Sequence, residues 1–446
     1  MPIIYETVSV TIKNPFSILR GLPQTQYLHH VKALYLWTTR SGERAAGKHY
    51  LVLQGSLQLS RHKLRGMKNL EKLGLYELTI PRWFQKCIYS LPSLTSLDVL
   101  GCFWPAHPLP KPKFRLESLR FISSEGGTLD LELMEVCWDT LSSLQLDNRT
   151  VNSLDIARVI QYPPPALTHL KVTVSPNLDD NTLISRLLAA CSTLTNLTLA
   201  DYVHPSSAVT IGPDDLPKLE WFEGPVWYLE PIMRGGLRPI HTYRHLHWCF
   251  GALPTEEEFI KGIRLLASSA NIIQELEVDI LQEDSESFEA EARALCDLVP
   301  HLKKWHVNLS DSACVSLLNL VVTLVFTLGL QVWPFSLIPL LLQATNLEYL
   351  SIIIYRESDV DIWAYSWEAV HDLNSALIFG WLCIQSCRNL QYLVITPPIS
   401  SRLVEIVFEK VADQEWVVAA PAGFFPHPHG PYSEYRMVGR VLKPLR

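Results

Sequence analysis

The chain has 446 residues, of which 48% are hydrophobic and 19% are charged. This length exceeds the roughly 250–300 residues at which one globular core stops growing, so the chain is either multidomain or a repeat that extends lengthwise. The 38 Lys and Arg residues against 45 Asp and Glu residues give a net charge of −7, which argues against a nucleic-acid-binding surface.

The sequence opens with MPIIYETVSVTIK, which lacks the basic and then apolar pattern of a secretory signal. The nine cysteines are scattered along the chain, unlike the dense disulfide framework of a small secreted domain. Both features predict a cytoplasmic or nuclear protein with reduced thiols.

A six-residue phrase, apolar-x-x-apolar-x-apolar, recurs along most of the chain. Nine of the twelve intervals between successive phrases are 22 to 30 residues long. The last three positions alternate as in a strand with one buried face, so each phrase predicts one short strand. The phrases begin at Val31, Leu70, Leu94, Leu116, Leu141, Leu167, Leu194, Leu219, Tyr243, Ile273, Leu302, Leu347 and Leu390.

Helical patterns lie between several of the phrases. In the clearest of them, TEEEFIKGIRLLASS, Thr255 and Glu258 fit a capping box. In the same segment Phe259, Ile263 and Leu266 fall on one helix face. The segments DDNTLISRLLAAC and SESFEAEARALCDLV follow the same pattern. Strand and helix therefore alternate, which predicts an α/β fold.

A unit of about 25 residues with one strand and one helix resembles the leucine-rich repeat. The resemblance covers residues 28–396. It implies a solenoid, or horseshoe, of irregular repeats of about 22–30 residues with a parallel sheet on its concave side. The chain departs from that family in lacking a regular Asn or Cys after the strand. A doubly wound α/β domain with Leu-rich strands is the alternative.

An anomalous apolar segment occupies residues 313–342, and no charged residue occurs from Ser312 to Leu347. VSLLNLVVTLVFTLGLQVW is long enough to cross a bilayer, but the repeat phrases on both sides argue against a membrane span. Removing Val315 through Gln331 restores the repeat spacing, as a retained intron would predict. A long buried helix between two repeats is the third interpretation.

The opening IIYETVSVTIKNPFSILRGLPQTQYLHHVKALYLWTT resembles the region that follows the F-box in fungal F-box/leucine-rich-repeat proteins. The F-box itself is absent. In that family the F-box docks a Skp-type adaptor, and the repeats hold a substrate for ubiquitination by a cullin ligase. The interpretation gives an N-terminal cap region at 1–27, the repeats at 28–396 and a C-terminal cap and tail at 397–446. Adaptor binding would require an F-box upstream.

The positions between the apolar residues of each phrase select a surface, because side chains alternate across a strand. Early strands offer mainly small polar residues such as Ser96 and Ser118, whereas later ones offer the aromatic and charged groups of interface hot spots. An ordinary solvated face is the alternative. The predicted protein-binding residues are Trp221, Glu223, His245, His247, Glu275, Glu277, Asp279, Lys304, His306, Tyr349 and Tyr392.

Metal binding and catalysis find little support in the sequence. His245, His247 and Cys249 are all possible zinc ligands on one strand face, but an extended strand separates each pair by about 7 Å, too far for one ion. The sequence contains no glycine-rich phosphate loop, nucleophile elbow or zinc-protease helix. We therefore predict no enzyme, no metal and no cofactor.

The patterns together predict a non-catalytic scaffold that binds a protein partner on the concave face of its sheet. The family resemblance implies that the scaffold recruits a substrate to a cullin-type ubiquitin ligase. The alternatives are a stand-alone leucine-rich-repeat interaction protein without a ligase role and a membrane-anchored repeat protein.

Overall fold

The structure is a computed structural model that divides into two compact units. Unit 1 comprises Met1–Leu219 and Trp248–Ala252, and unit 2 comprises Glu220–His247 and Leu253–Arg446. The residues that the structure describes are 6–12, 20–38, 61–104, 111–123, 137–146, 163–174, 178–201, 210–212, 214–233, 238–245, 256–267, 273–280, 294–295, 298–310, 344–355, 380, 383–384, 387–396, 406–412, 415–419, 435–438 and 441–444.

Unit 1 contains a parallel sheet in which each strand pairs with the next one along the chain. The strands are β1 (Thr7–Ile12), β2 (Ala33–Thr38), β3 (Lys72–Tyr76), β4 (Ser96–Cys102), β5 (Ser118–Ser123), β6 (Ser143–Leu146), β7 (His169–Val174) and β8 (Asn196–Asp201). Strand order follows chain order throughout this described sheet, without the reversal that a doubly wound domain contains.

Unit 2 begins with parallel strands that pair in chain order, as in unit 1, but it ends with antiparallel strands. Its parallel strands are β9 (Trp221–Glu223), β10 (Thr242–Arg244), β11 (Glu275–Ile280), β12 (Lys304–Ser310), β13 (Tyr349–Tyr355) and β14 (Tyr392–Thr396). Antiparallel strands follow, and the first of them pairs with β14. They are β15 (Ile406–Ala412), β16 (Glu415–Ala419), β17 (Tyr435–Val438) and β18 (Val441–Pro444).

The repeated phrases predict the positions of the parallel strands after β1, which no phrase precedes. Every phrase except one begins two residues before a strand that the structure contains. The exception is the phrase placed at Tyr243, because β10 begins at Thr242. Tyr243 pairs with Phe222 and Leu276, which hold the fourth position of their own phrases. That phrase therefore begins at Ile240, and its predicted start at Tyr243 is wrong by three residues.

The apolar positions of the phrases form the core. In the phrase that begins at Leu94, the side chains of Leu94, Leu97 and Val99 are all buried. The corresponding residues of the phrase that begins at Leu302 are buried in unit 2. Each such side chain contributes about 1.5–3 kcal/mol when it leaves water, so the apolar alternation selects which face of each strand points inward.

A shared backbone contact fixes the register between successive phrases. In unit 1 the carbonyl of Glu71 accepts hydrogen bonds from the amides of Thr95 and Ser96, both at 2.9 Å. In unit 2 the carbonyl of Gln274 accepts from Lys303 at 2.8 Å and from Lys304 at 3.0 Å. The same double contact is made by the carbonyls of Glu6, Lys32, Thr95, Glu117, Ser142, Thr168, Glu220, His241, Lys303 and Glu348. Each of these acceptors is the second residue of its phrase, except Glu6, which precedes β1 and lies outside the phrases.

Short helices occupy several of the connections. They include the α-helices α1 (Arg82–Tyr89), α2 (Leu178–Ala190), α3 (Leu229–Met233) and α4 (Glu256–Ala267), and the 3₁₀ turns Thr25–His30, Val226–Tyr228 and Val299–His301. Helix α4 confirms the predicted helix, because Phe259, Ile263 and Leu266 are all buried. Gly262 lies so close to Val226 that an added Cβ would clash with it, which lets α4 pack tightly on the 3₁₀ turn.

The fold is therefore α/β with a mostly parallel sheet, as the sequence predicts. The anomalous segment 313–342 and the predicted cap residue Thr255 lie outside the described residues. Within the described part of the chain, no helix is long and apolar enough to cross a membrane.

Candidate protein-binding face

Two registered rows of side chains cross the strands of unit 2 on the face opposite its core. The first row runs through Trp221, Thr242, Glu275, Lys304, Tyr349 and Tyr392. The second row runs through Glu223, Arg244, Glu277 and His306. We call these ten residues the open face. The structure thus brings eight of the eleven predicted binding residues together on one surface.

The other three predicted residues have different outcomes. His245 is buried, and it follows Arg244 at the level of the buried Val278, so its predicted place on the open face is wrong. The error comes from the misplaced phrase at Tyr243. His247 lies outside the described residues. Asp279 lies on β11 and pairs with Asn308, which places its backbone beyond Glu277 in the next row of alternate positions.

Arg244 is the centre of an ion-pair network on the open face. Its Nη2 atom donates a hydrogen bond to Glu275 Oε1 at 2.6 Å, and its Nε atom lies 3.5 Å from Glu277 Oε2. Lys304 Nζ lies 3.6 Å from the other oxygen of Glu275. One guanidinium group therefore contacts two carboxylates of the adjacent strand β11, and planar Arg groups suit such multiple contacts.

The network affects the two glutamates in opposite directions. Burial acts to raise the pKa of Glu275, but the hydrogen bond and charge of Arg244, with the charge of Lys304, outweigh it and leave the pKa below its usual value. Burial raises the pKa of Glu277, and the charges of Glu223 and Glu275 add to this effect against the opposing charge of Arg244. Glu275 is thus well paired, whereas Glu277 is the less compensated carboxylate.

His306 lies on the open face beside the network. Burial lowers the pKa of His306, and the charge of Arg244 acts in the same direction. Its ring lies 5.1 Å from the ring of Tyr349, centroid to centroid, at an interplanar angle of 41°. A neutral imidazole against a tyrosine adds polar and aromatic contact area without a further charge.

Aromatic groups border the charged centre. The guanidinium carbon of Arg244 lies 5.6 Å from the ring centroid of Trp221, within the range of a cation–π contact. At the other end of the first row, the hydroxyl of Tyr392 donates a 2.6 Å hydrogen bond to Glu409 on β15. Rigid aromatic and Arg side chains with satisfied partners are the groups that dominate protein–protein binding energies.

Sequence reasoning missed Thr242 and Arg244, because the phrase at Tyr243 was read in the wrong register. The signal that could have placed them is the apolar pair Ile240 and Tyr243, which fit the first and fourth positions of a phrase if a polar sixth position is allowed. The missed Arg244 is the residue on which the charged network depends.

A second group that sequence reasoning missed is an aromatic cluster in unit 1. Trp37 stacks on Tyr76, with ring centroids 3.9 Å apart and planes 10° from parallel. The indole Nε1 of Trp37 donates a 2.9 Å hydrogen bond to Ser9 Oγ. Gly74 makes room for the cluster, because an added Cβ would lie 2.5 Å from Tyr35 Cδ1 and 2.8 Å from Tyr76 Cε2.

Tyr76 of the aromatic cluster also forms a polar pair with Asp98. Burial raises the pKa of Asp98, against the opposing charge of Arg120 and the hydrogen bond from Tyr76. Burial likewise raises the pKa of Tyr76, together with the charge of Asp98. The pair lies on the same sheet face as the cluster, since Gly74 pairs with Asp98 and Asp98 with Arg120.

Among the described residues, no group of three or more possible metal ligands occurs. The described cysteines are buried and free, and burial raises the pKa of Cys102 and Cys191 to about 12. Such thiols stay protonated and behave as core residues.

Comparison of the sequence with models of known protein families and with curated proteins gives no match.

Proposed function

We propose that the chain is a leucine-rich-repeat solenoid and a non-catalytic scaffold that binds a protein partner through the open face of unit 2. The observation that carries this proposal is the pair of registered rows, which place aromatic, acidic and basic side chains from consecutive strands on one surface. The recurring phrase, the chain-order parallel pairing and the shared backbone acceptor support the repeat interpretation.

The open face has the composition of a recognition surface. Its described side chains include three carboxylates, Glu223, Glu275 and Glu277, against the two cations Arg244 and Lys304. This excess of negative charge favours a partner segment that carries basic residues. Trp221, Tyr349 and Tyr392 supply aromatic contact area at both ends of the charged centre.

The biological setting that we propose is substrate recruitment to a cullin-type ubiquitin ligase. The support is the resemblance of the opening segment and the repeats to fungal F-box/leucine-rich-repeat proteins. Co-purification of a Skp-type adaptor with the full-length gene product would favour this setting. Its absence, with a partner still bound to the open face, would favour a stand-alone interaction protein.

The binding role is tested by the double variant Trp221→Ala with Glu277→Lys. Partners that co-purify with the wild-type chain are identified by mass spectrometry, and the affinity of a purified partner is then measured for each variant. We expect the double variant to weaken binding by about tenfold or more, because it removes an aromatic anchor and reverses a charge.

The matched control is Trp37→Ala with Glu71→Lys, which makes the same chemical changes in unit 1. It should leave partner affinity within about twofold, as expected for residues outside an interface. If the control weakens binding and the unit 2 variant does not, the binding surface lies in unit 1 and the proposal for the open face fails. Circular dichroism and thermal unfolding check that each variant is folded.

A further inference from the structure

A groove of about 700 Å³ lies at the edge of the unit 2 sheet, where strands β12, β13 and β14 begin. Strand β15 runs antiparallel to β14, so its C-terminal end lies at the same edge. We call this cavity the edge groove. It is separate from the charged network of Arg244, although Tyr392 lines the edge groove and also ends the first row of the open face.

The edge groove has a positive lining. Lys303 from the second position of a phrase and Lys410 from β15 both line it, as does His301. The amide of Lys410 donates a 2.9 Å hydrogen bond to the carbonyl of Gln391, which fixes the backbone of that lysine against β14. Glu348 is the acidic side chain of the lining, so the two lysine charges exceed the negative charge inside the groove.

The edge groove also has an apolar wall. Among the described residues, four large apolar side chains are exposed, and two of them, Tyr392 and Val411, line this groove. Tyr392 is 40% exposed and Val411 is 57% exposed. The hydroxyl of Tyr392 donates a hydrogen bond to Glu409, which gives the ring a fixed position and leaves the charge of that carboxylate in place beside the groove.

The side-chain amides of two asparagines that line the edge groove are held by hydrogen bonds. Asn346 Nδ2 donates to the carbonyl of Pro300 at 2.8 Å, and Asn389 Nδ2 donates to the carbonyl of Thr345 at 2.5 Å. Each asparagine lies directly before one phrase, and its hydrogen bond joins it to a residue just before the preceding phrase. A groove with such fixed walls loses less conformational entropy on binding than one that must first become ordered.

We propose that the edge groove binds an acidic peptide segment in which an apolar residue lies next to carboxylates. The carboxylates meet Lys303 and Lys410, and the apolar side chain packs on Tyr392 and Val411. Charge complementarity selects the acidic partner, and the two exposed apolar side chains select the neighbouring residue. This site shares Tyr392 with the open face but differs from it in charge, since carboxylates outnumber cations on the open face.

The test uses the full chain and a short, capped, fluorescein-labelled peptide of alternating leucine and glutamate. A matched peptide carries glutamine in place of glutamate. Fluorescence anisotropy measures the affinity of each peptide. We expect the acidic peptide to bind at least about tenfold more tightly than the neutral one, and to weaken as the salt concentration rises from about 50 mM to about 500 mM.

Charge-reversal variants assign the binding to the edge groove. Lys303→Glu with Lys410→Glu should weaken binding of the acidic peptide at least about tenfold, because like charges then oppose each other. Lys68→Glu with Lys218→Glu, which changes two exposed lysines of unit 1, should leave the affinity within about twofold. The milder pair Lys303→Gln with Lys410→Gln should also weaken binding, which excludes misfolding of the reversed variant as the cause.

Two results would overturn the proposal. One is acidic-peptide binding that is no stronger than neutral-peptide binding. The other is equal affinity of the wild-type chain and the Lys303 and Lys410 variants. The variant Trp221→Ala with Glu277→Lys should retain wild-type affinity for the acidic peptide, so a failure of the open-face proposal remains separate from a failure of this one.

Discussion

The sheets of units 1 and 2 share one backbone plan but present different chemistry. In unit 1 an aromatic stack of Trp37 on Tyr76 lies over Gly74, and the following strands present small residues such as Ser118 and Ser143. In unit 2 the third and fifth positions of the phrases hold the ion-pair network of Arg244. The pairing of the parallel strands therefore determines where side chains are displayed. The residues between the buried positions determine what each region can bind.

The second position of each phrase shows the same contrast. In unit 1 the hydroxyls of Thr95, Ser142, Thr168 and Thr195 donate hydrogen bonds to the preceding second-position carbonyl. In unit 2 the corresponding Lys303, Glu348 and Gln391 line the edge groove instead. The hydroxyl side chains at this position of unit 1 add contacts between strands, whereas the longer side chains of unit 2 are exposed.

The sharpest contrast lies between buried and displayed positions of one strand. Trp305 is fully buried, and its neighbour Lys304 is exposed on the open face. Trp305→Ala should lower the free energy of unfolding by about 3–5 kcal/mol, because it leaves a large cavity. Lys304→Ala should change it by about 0.5 kcal/mol or less. Urea unfolding measures both, and similar losses for the two variants would contradict the assignment of faces.

Gly74→Ala tests the aromatic cluster of unit 1. The added methyl group would clash with Tyr35 and Tyr76, so we expect a loss of about 1–2 kcal/mol in the free energy of unfolding. In a Tyr76→Ala background the same change should cost less, because one of the clashing rings is gone. A double-mutant cycle by urea unfolding measures this coupling. Equal costs in both backgrounds would show that Tyr76 does not lie over Gly74.

The two glutamates of the open face should differ in how they affect stability with pH. The lowered pKa of Glu275 means that it stabilises the fold above its unfolded-state pKa, and this stability is lost as the pH falls through its folded pKa. Glu275→Gln should therefore cost about 0.5–1 kcal/mol at pH 7 and less in acid.

For Glu277 the effect of ionisation on stability has the opposite sign. Because the folded-state pKa of Glu277 is raised, its ionisation disfavours the fold as the pH rises from the unfolded-state value through the folded one. The change in the free energy of unfolding caused by Glu277→Gln, relative to the wild-type chain, should therefore be more favourable at pH 7 than in acid. Urea unfolding at a series of pH values tests both glutamates, and parallel pH profiles for the two variants would contradict the described network.

The smallest expected effect concerns the hydroxyl contacts of unit 1. Ser142→Ala removes an exposed 3.0 Å hydrogen bond to the carbonyl of Glu117 and should cost about 0.5 kcal/mol. Gln391→Ala at the equivalent position of unit 2 should be close to neutral. Thermal unfolding of the two variants compares these roles, and a larger loss at Gln391 would reverse the contrast.

The parallel strands could be predicted because each phrase alternates buried and displayed residues, as in the phrase at Leu94. The same rule failed at β10, where the sixth position of the phrase is the polar but buried His245. The aromatic cluster was missed because Trp37 and Tyr76 occupy the seventh position, beyond the phrase. The pairing of Arg244 with Glu275 rather than Glu223 depends on side-chain conformations and burial, which the sequence pattern does not contain.

The claim that partner binding belongs to the open face of unit 2 is tested most directly by site-specific photo-crosslinking. A photo-reactive amino acid replaces Lys304 in one chain and Lys72 in another, since both lysines begin a parallel strand and occupy the third position of a phrase. We expect irradiation to crosslink the partner to position 304 and not to position 72. Crosslinking at 72 without crosslinking at 304 would contradict the account.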